Sequence, residues 1–173
     1  MKRTKWFDRI FDFSFEQNIF PSIIGRLEKT PMLLKNKLSK ISNHQLTNKI
    51  NGKWSIQENI GHLIDLEPVW QGRLEDILNN KVEMRAVDLE NKKTDLAMHN
   101  DKNIDELIDK FISIRSITTI RLHKITDKEV YKFALHPRLK TPMRIMDLFF
   151  FVAEHDDHHV SRILEIEAIY NFE

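Results

Sequence analysis

The sequence predicts an all-α protein, a four-helix bundle, and three observations carry that prediction. Glycine and proline are scarce, with 4 and 5 in 173 residues, too few for a turn-rich β-sandwich but ample for long helices. Apolar residues make up 41% of the chain and recur at steps of three and four in four separate stretches, the helical period. The length suits a single domain covering 1–173, since soluble domains mostly run about 100–200 residues, and 11 Phe with 3 Trp can fill one core.

The first stretch places Phe20, Ile24, Leu27, Leu34, Leu38 and Ile41 on one face. Pro31 falls in the same register, so this is either one helix interrupted there or two short ones. The second opens with Ser55 and Glu58 spaced as a capping box, and its stripe runs through Ile56, Ile60, Leu63, Trp70, Leu74 and Ile77 before fading near Asn79-Asn80. Residues 80–102 are polar and weakly patterned, long against the roughly 2–8 residues that usually join bundle helices. A connector of that length can cross over the bundle, leaving the second and third helices parallel, instead of turning tightly. The third helix is expected from about Ile104 to Ile125, through Leu107, Phe111, Ile114 and Leu122. A short hairpin-like segment follows, Phe133 to Pro142. Thr141 is then read as the cap of a fourth helix with Pro142 at its first position, running to about Tyr170.

Composition closes several functional classes. Lysine and arginine number 27 against 26 acidic residues, a net charge of +1 with no block of one sign, so no nucleic-acid partner is suggested. The absence of cysteine removes disulfides, thiolate-ligated zinc and a thiol nucleophile, and leaves histidine or carboxylate metal sites open. The basic start Met1-Lys2-Arg3 is followed by Asp8, Arg9 and Asp12, which interrupt any apolar run, so no signal peptide is visible. The longest fully apolar run, Leu148 to Ala153, is far short of the about 20 residues of a membrane span. A cytoplasmic protein without a membrane partner is the expectation.

The fourth helix carries the chemistry. Its inward stripe reads Leu148, Val152, His155, His159, Ile163, Ile166 and Tyr170. Two imidazoles at i and i+4 lie one turn apart on the same face, where they can share a metal ion. Burying an imidazole without partners costs about 1–3 kcal/mol per unsatisfied group, so two in succession need a reason. One reason is two core histidines bonded to neighbouring helices; the other is a metal. A third ligand is then required, and His62 sits at the edge of the second helix's apolar stripe, roughly 100° from its centre. His158 is the rival to His159 on the flank. His44, His99, His123 and His136 fall in loops or on outer faces and read as surface residues.

Around these ligands, Glu58 and Asp65 flank His62, and Asp156 and Asp157 stand beside the fourth-helix pair; all are candidates to orient the imidazoles through hydrogen bonds. Glu67 and Arg115 break the apolar stripes of their helices. They read as a buried ion pair, with an anion-binding role for Arg115 in the cavity as the alternative.

The stretch Lys53-Trp54-Ser55-Ile56-Gln57-Glu58-Asn59-Ile60-Gly61-His62-Leu63-Ile64-Asp65-Leu66-Glu67 resembles the signature of the DinB-like superfamily, as does Glu154-His155-Asp156-Asp157-His158-His159. The Arg115 region and the segment Arg26-Leu27-Glu28-Lys29-Thr30-Pro31 are similar to that family as well. The resemblance implies a four-helix bundle, often a homodimer, with a three-histidine divalent metal site, zinc or nickel, on His62, His155 and His159. Some members of the family are thiol S-transferases using low-molecular-weight thiols such as bacillithiol or mycothiol; others resemble metal-dependent hydrolases or isomerases. The first expectation is therefore a metal-dependent enzyme that transfers a thiol to an electrophilic small molecule. The alternatives are a metal-dependent hydrolase, a non-catalytic metal- or small-molecule-binding stress-response protein, and a helical interaction module.

Overall fold

The computed structural model describes residues 4–170, so the Met1-Lys2-Arg3 start lies outside the described residues. Six α-helices and one hairpin follow in order: α1 (Phe20–Leu38), α2 (Asn43–Thr47), α3 (Ile56–Leu78), α4 (Lys92–Leu96), α5 (Ile104–Leu122), β1 (Phe133–Leu135), β2 (Pro142–Arg144) and α6 (Ile145–Tyr170). The four long helices form the bundle. α1 and α3 each pack against both α5 and α6. Pro31 lies inside α1 rather than splitting it, and the stripe ends at Leu38. Beyond it the chain makes the short α2, whose Ser42 and Gln45 form a reciprocal cap.

Side-chain pairing gives the helix directions. Gln57 reaches the Lys102 carbonyl, Glu67 meets Arg115 and Thr118, and Glu75 meets Arg121. Residue numbers rise together on the two elements, so α3 and α5 run parallel. α1 and α6 do the same, through Arg26 to Glu154 and Lys37 to Glu167. The opposite order holds between α3 and α6, where Asn59 meets His159 and Trp70 packs on Phe151. The stretch between Leu78 and Ile104 thus returns the chain along the bundle, as its length allows: the 23 residues of α3 span about 35 Å at 1.5 Å each.

Local chemistry fixes the helix starts. Ser55 accepts from the Glu58 backbone N–H at 3.1 Å and Glu58 accepts from the Ser55 N–H at 2.9 Å, the capping box read from the sequence. Asn103 caps α5. The expected cap of the last helix is corrected: Pro142 opens β2, paired with Leu135, and α6 begins at Ile145. Proline has no N–H to give a ladder and is tolerated at the first residue of an edge strand. Asp147 supplies the start signal instead, accepting from the Arg144 backbone N–H at 2.9 Å and from its guanidinium.

The apolar core is divided. One cluster is built by Phe20–Leu27 of α1, Trp70–Ile77 of α3, the hairpin and Ile145–Ala153 of α6; the other by Leu34, Leu38, Ile56–Ile64, Leu107–Phe111, Ile163 and Ile166. Between them lies a polar level containing Glu67, Arg115, Asp156 and the three histidines, all buried. None of the described helices is long and apolar enough to cross a membrane.

Candidate metal centre

At this level Arg115 is enclosed by carboxylates. Its Nε donates to Glu67 at 2.6 Å, its two terminal nitrogens donate to Asp156 at 2.5 and 3.1 Å, and one also reaches the Leu27 carbonyl. Thr118 donates to the other Glu67 oxygen at 2.5 Å. Burial alone would push the Arg115 pKa down, but Asp156 and Glu67 outweigh it and hold the guanidinium charged. A buried ion group adds little net stability, yet removing one partner typically costs about 3–5 kcal/mol. The pairing of Arg115 with Glu67 is the arrangement read from the sequence, and Asp156 joins it instead of touching a histidine. His155, next to Asp156 in α6, projects about 100° around the helix from it and is likewise buried.

There His62, His155 and His159 come together. One ring nitrogen from each lies within 4.8 Å of the others, and the ring centroids are 5.3, 4.8 and 4.6 Å apart. Two nitrogens sharing a tetrahedral zinc at about 2.0–2.1 Å each would stand roughly 3.3 Å apart. All three rings are buried.

Two of the rings have their tautomers fixed by neighbours. The Thr94 hydroxyl donates to Asp65 at 3.1 Å, so at 3.1 Å from His62 Nδ1 it accepts the ring N–H. Asn59 donates its amide to the Ser55 and Trp54 carbonyls at 2.7 and 3.3 Å, which leaves its oxygen to accept from His159 Nδ1 at 2.8 Å. In both rings Nε2 then keeps its lone pair for a ligand. His155 Nδ1 is buried with no hydrogen-bond partner. Burial pushes the His62 pKa down to about 4, with His99 adding and Asp65 opposing. His155 falls well below its ordinary value for the same first reason, reinforced by His62, His158 and Arg115. Neutral imidazoles in a desolvated pocket are the form that binds metal.

The remaining candidates take other places. Glu58 caps α3 and pairs with Lys49 at 2.7 Å, and Asp157 pairs with Arg26 at 2.5 Å. Asp65 is reached from His62 through Thr94 and also accepts from His99 Nε2 at 2.8 Å. Two surface assignments are corrected. His99 and His136 are 3% and 2% exposed: the first, itself in the connector, faces α3 with its Nε2 2.8 Å from Asp65 and its Nδ1 3.3 Å from Lys102 Nζ, the second receives the backbone N–H groups of Arg138 and Leu139 on Nδ1. His44 and His123 are exposed as expected.

Thr94, Asn59 and His99 were missed by sequence reasoning. One signal pointed to His99: Gly61, inside a helix, where an added Cβ would stand 2.2 Å from the His99 ring, a close approach of the kind that requires glycine. The triad opens into a cavity of about 440 Å³ that Trp6, Trp54, Trp70 and His158 help to line. Trp54 and Trp6 pack on His62 and His155, with centroids 4.7 and 4.9 Å away. The size and the mix of aromatic walls with convergent polar groups suit a small molecule.

Solved structures that share this fold include the following two. One is YfiT from Bacillus subtilis, described as a probable metal-dependent hydrolase with an unusual four-helix bundle topology, at TM-score 0.83 and 19% identity over 94% of each chain. The other is the mycothiol-dependent maleylpyruvate isomerase, at TM-score 0.64 and 12% identity, covering 91% of this chain and 62% of that one. No curated protein matches. The model of the DinB superfamily matches residues 26–163, and this chain belongs to that family.

Proposed function

We propose that this protein is a metal-dependent enzyme in which His62, His155 and His159 hold one divalent ion, zinc or nickel, and that it transfers a low-molecular-weight thiol to an electrophilic small molecule. The observation that carries this reading is the convergence of three buried imidazole nitrogens within 4.8 Å, two of them oriented by Thr94 and Asn59. A divalent ion on three neutral imidazoles leaves a coordination position open and favours the deprotonated form of a thiol or water brought to it. Thr94 and Asn59 hold the rings in one tautomer, and the Arg115 ion group holds α6 at the rotation that presents them. Trp6, Trp54 and Trp70 line the cavity beside the triad and give an apolar wall for the electrophile.

Thiol chemistry is preferred to hydrolysis because of what lines the cavity. Among the described residues its one carboxylate is Asp88, whose oxygens accept from the Glu90 and Lys92 N–H groups at 3.0 and 2.7 Å. A water-activating site usually keeps a base close by, whereas a thiol reaches its nucleophilic form with less help. The likeness to a mycothiol-dependent isomerase supports the same choice. Hydrolysis is the second reading, supported by the likeness to YfiT and by His158 on the cavity wall.

The test has two stages. Elemental analysis after loading with zinc or nickel should give one ion per chain, lost in His62→Ala, His155→Ala and His159→Ala but kept in His123→Ala; equal content in all four variants overturns the site. The loaded protein is then incubated with a thiol-reactive electrophile and a panel of cellular thiols. Turnover requiring both ion and one particular thiol supports transfer. Ion-dependent hydrolysis without thiol selects the second reading, and no turnover with bound metal leaves a binding protein.

A further inference from the structure

On the wall of the same cavity away from the triad stand two arginines, neither of which is paired with a carboxylate among the described residues. Arg73, from α3, is 1% exposed. Its Nε donates to the Arg85 carbonyl at 3.1 Å and one terminal nitrogen lies 3.1 Å from His136 Nε2, but the other is buried with no hydrogen-bond partner. Arg138, in the turn between β1 and β2, likewise buries a terminal nitrogen without a partner. Neither forms a salt bridge with any of the described residues. Each lies over an aromatic ring, Arg73 at 5.2 Å from Trp70 and Arg138 at 5.1 Å from Phe7; stacking of this kind occupies the guanidinium face and leaves its N–H edge to donate.

His136 makes the shortage of acceptors sharper. Its Nδ1 accepts from two backbone N–H groups at 3.2 and 3.1 Å, so the single proton of the neutral ring belongs on Nε2. That nitrogen faces Arg73, and two donors oppose each other. Burial first, then Arg73 and Arg138, push the His136 pKa down to about 3, so the ring does not escape by taking a second proton. The Arg73 pKa is itself lowered to about 10 by burial and by Arg138, with Asp76 opposing. Buried donors left unpaired are rare in native proteins and ask for an acceptor.

We propose that Arg73, Arg138 and His136 form the anion subsite of this cavity and take a carboxylate or phosphate group of the bound small molecule. An oxyanion seated between the two guanidinium edges accepts from both unpaired nitrogens and from His136 Nε2, and it separates two like charges. The wider lining agrees in sign: Lys53, Arg73, Arg138 and Arg162 against Asp88. Trp70 touches both regions, 5.9 Å from the His155 ring and 5.2 Å from Arg73, so a molecule anchored here extends past one indole to the triad. This assignment deepens the proposed function by naming the substrate or thiol as acidic, and it rests on that reading only for where the reacting group lies.

Metal-free protein, stripped with a chelator, separates the two claims. It is titrated calorimetrically at fixed ionic strength with succinate, inorganic phosphate and the uncharged succinamide. Saturable one-site binding of succinate or phosphate, absent with succinamide, is expected; the tighter of the two names the group. Arg138→Gln, on a turn and partly exposed, should weaken it about tenfold or more, the usual loss of a charge-assisted bond, while His155→Ala leaves it unchanged. As a readout independent of variants, the Arg73 and Arg138 Nε–H resonances of the native chain should shift with the same saturation. Absence of binding by either anion, equal binding by Arg138→Gln, or loss in His155→Ala with those resonances unmoved overturns the subsite, whatever becomes of the metal.

Discussion

Replacing Thr94 by valine tests whether the connector is part of the centre. Valine keeps the shape of the side chain and its β-branching, so the change deletes one hydroxyl and little else. That hydroxyl is buried and lies 3.1 Å from both His62 Nδ1 and Asp65 Oδ2. Without it the His62 N–H has no acceptor, while Asp65 retains its 2.8 Å bond to His99. One unpaired buried donor costs about 1–3 kcal/mol, which for a domain of this size lowers Tm by roughly 2–4 °C per kcal/mol. Metal affinity should fall further, about 10–100-fold, because the ring is no longer held in the tautomer that presents Nε2. Competition against a chromophoric chelator measures the affinity, and urea unfolding of the metal-free protein measures the stability. Thr94→Ser should recover most of both. If Thr94→Val binds zinc within twofold of the native protein, Thr94 does not orient His62 and the relay to Asp65 has no part in the site.

Two further outcomes are expected. Gly61→Ala gains about 1 kcal/mol by helix propensity alone, yet its Cβ would meet the His99 ring at 2.2 Å, so a net loss of about 1–3 kcal/mol is expected from overpacking; a stabilised variant in thermal unfolding refutes the contact. Stability of the metal-free protein should fall on acidification from about pH 6.5 towards pH 5, measured by urea unfolding at several pH values. His62 and His136 bind a proton less readily folded than unfolded, with folded values of about 4 and about 3. Their contribution is thus complete above pH 6.5 and is lost as the pH falls towards those values, at about 1.4 kcal/mol per unit of difference. A flat profile over that window contradicts the buried neutral rings.

What the sequence made legible, and what it hid, follows from periodicity. His155 and His159 stood out because they interrupt an apolar stripe whose period is known, and His62 could be set at the edge of another. Glu67 and Arg115 were visible for the same reason. Connector length allowed the parallel α3–α5 pairing without deciding it. The reading failed where period gives nothing. Thr94 and His99 sit in a segment with no regular repeat, so only the fold shows that it passes over His62. His136 lies beside strands of three residues, too short for alternation to mark an inward side. Pro142 suits a strand start as well as a helix start, and the deciding group was Asp147, three residues beyond Arg144.

The divided core has a bearing on how the protein assembles. The histidine-bearing helices α3 and α6 are separated in the chain by the return segment, the whole of α5 and the hairpin, so the three imidazoles meet only when these chain-distant helices pack together. An ion held by the three histidines, as proposed, would tie the two ends of a long loop, much as a covalent cross-link does, at the level where the two apolar halves adjoin. Removal of such an ion would take away a tie at the level where the two apolar clusters meet.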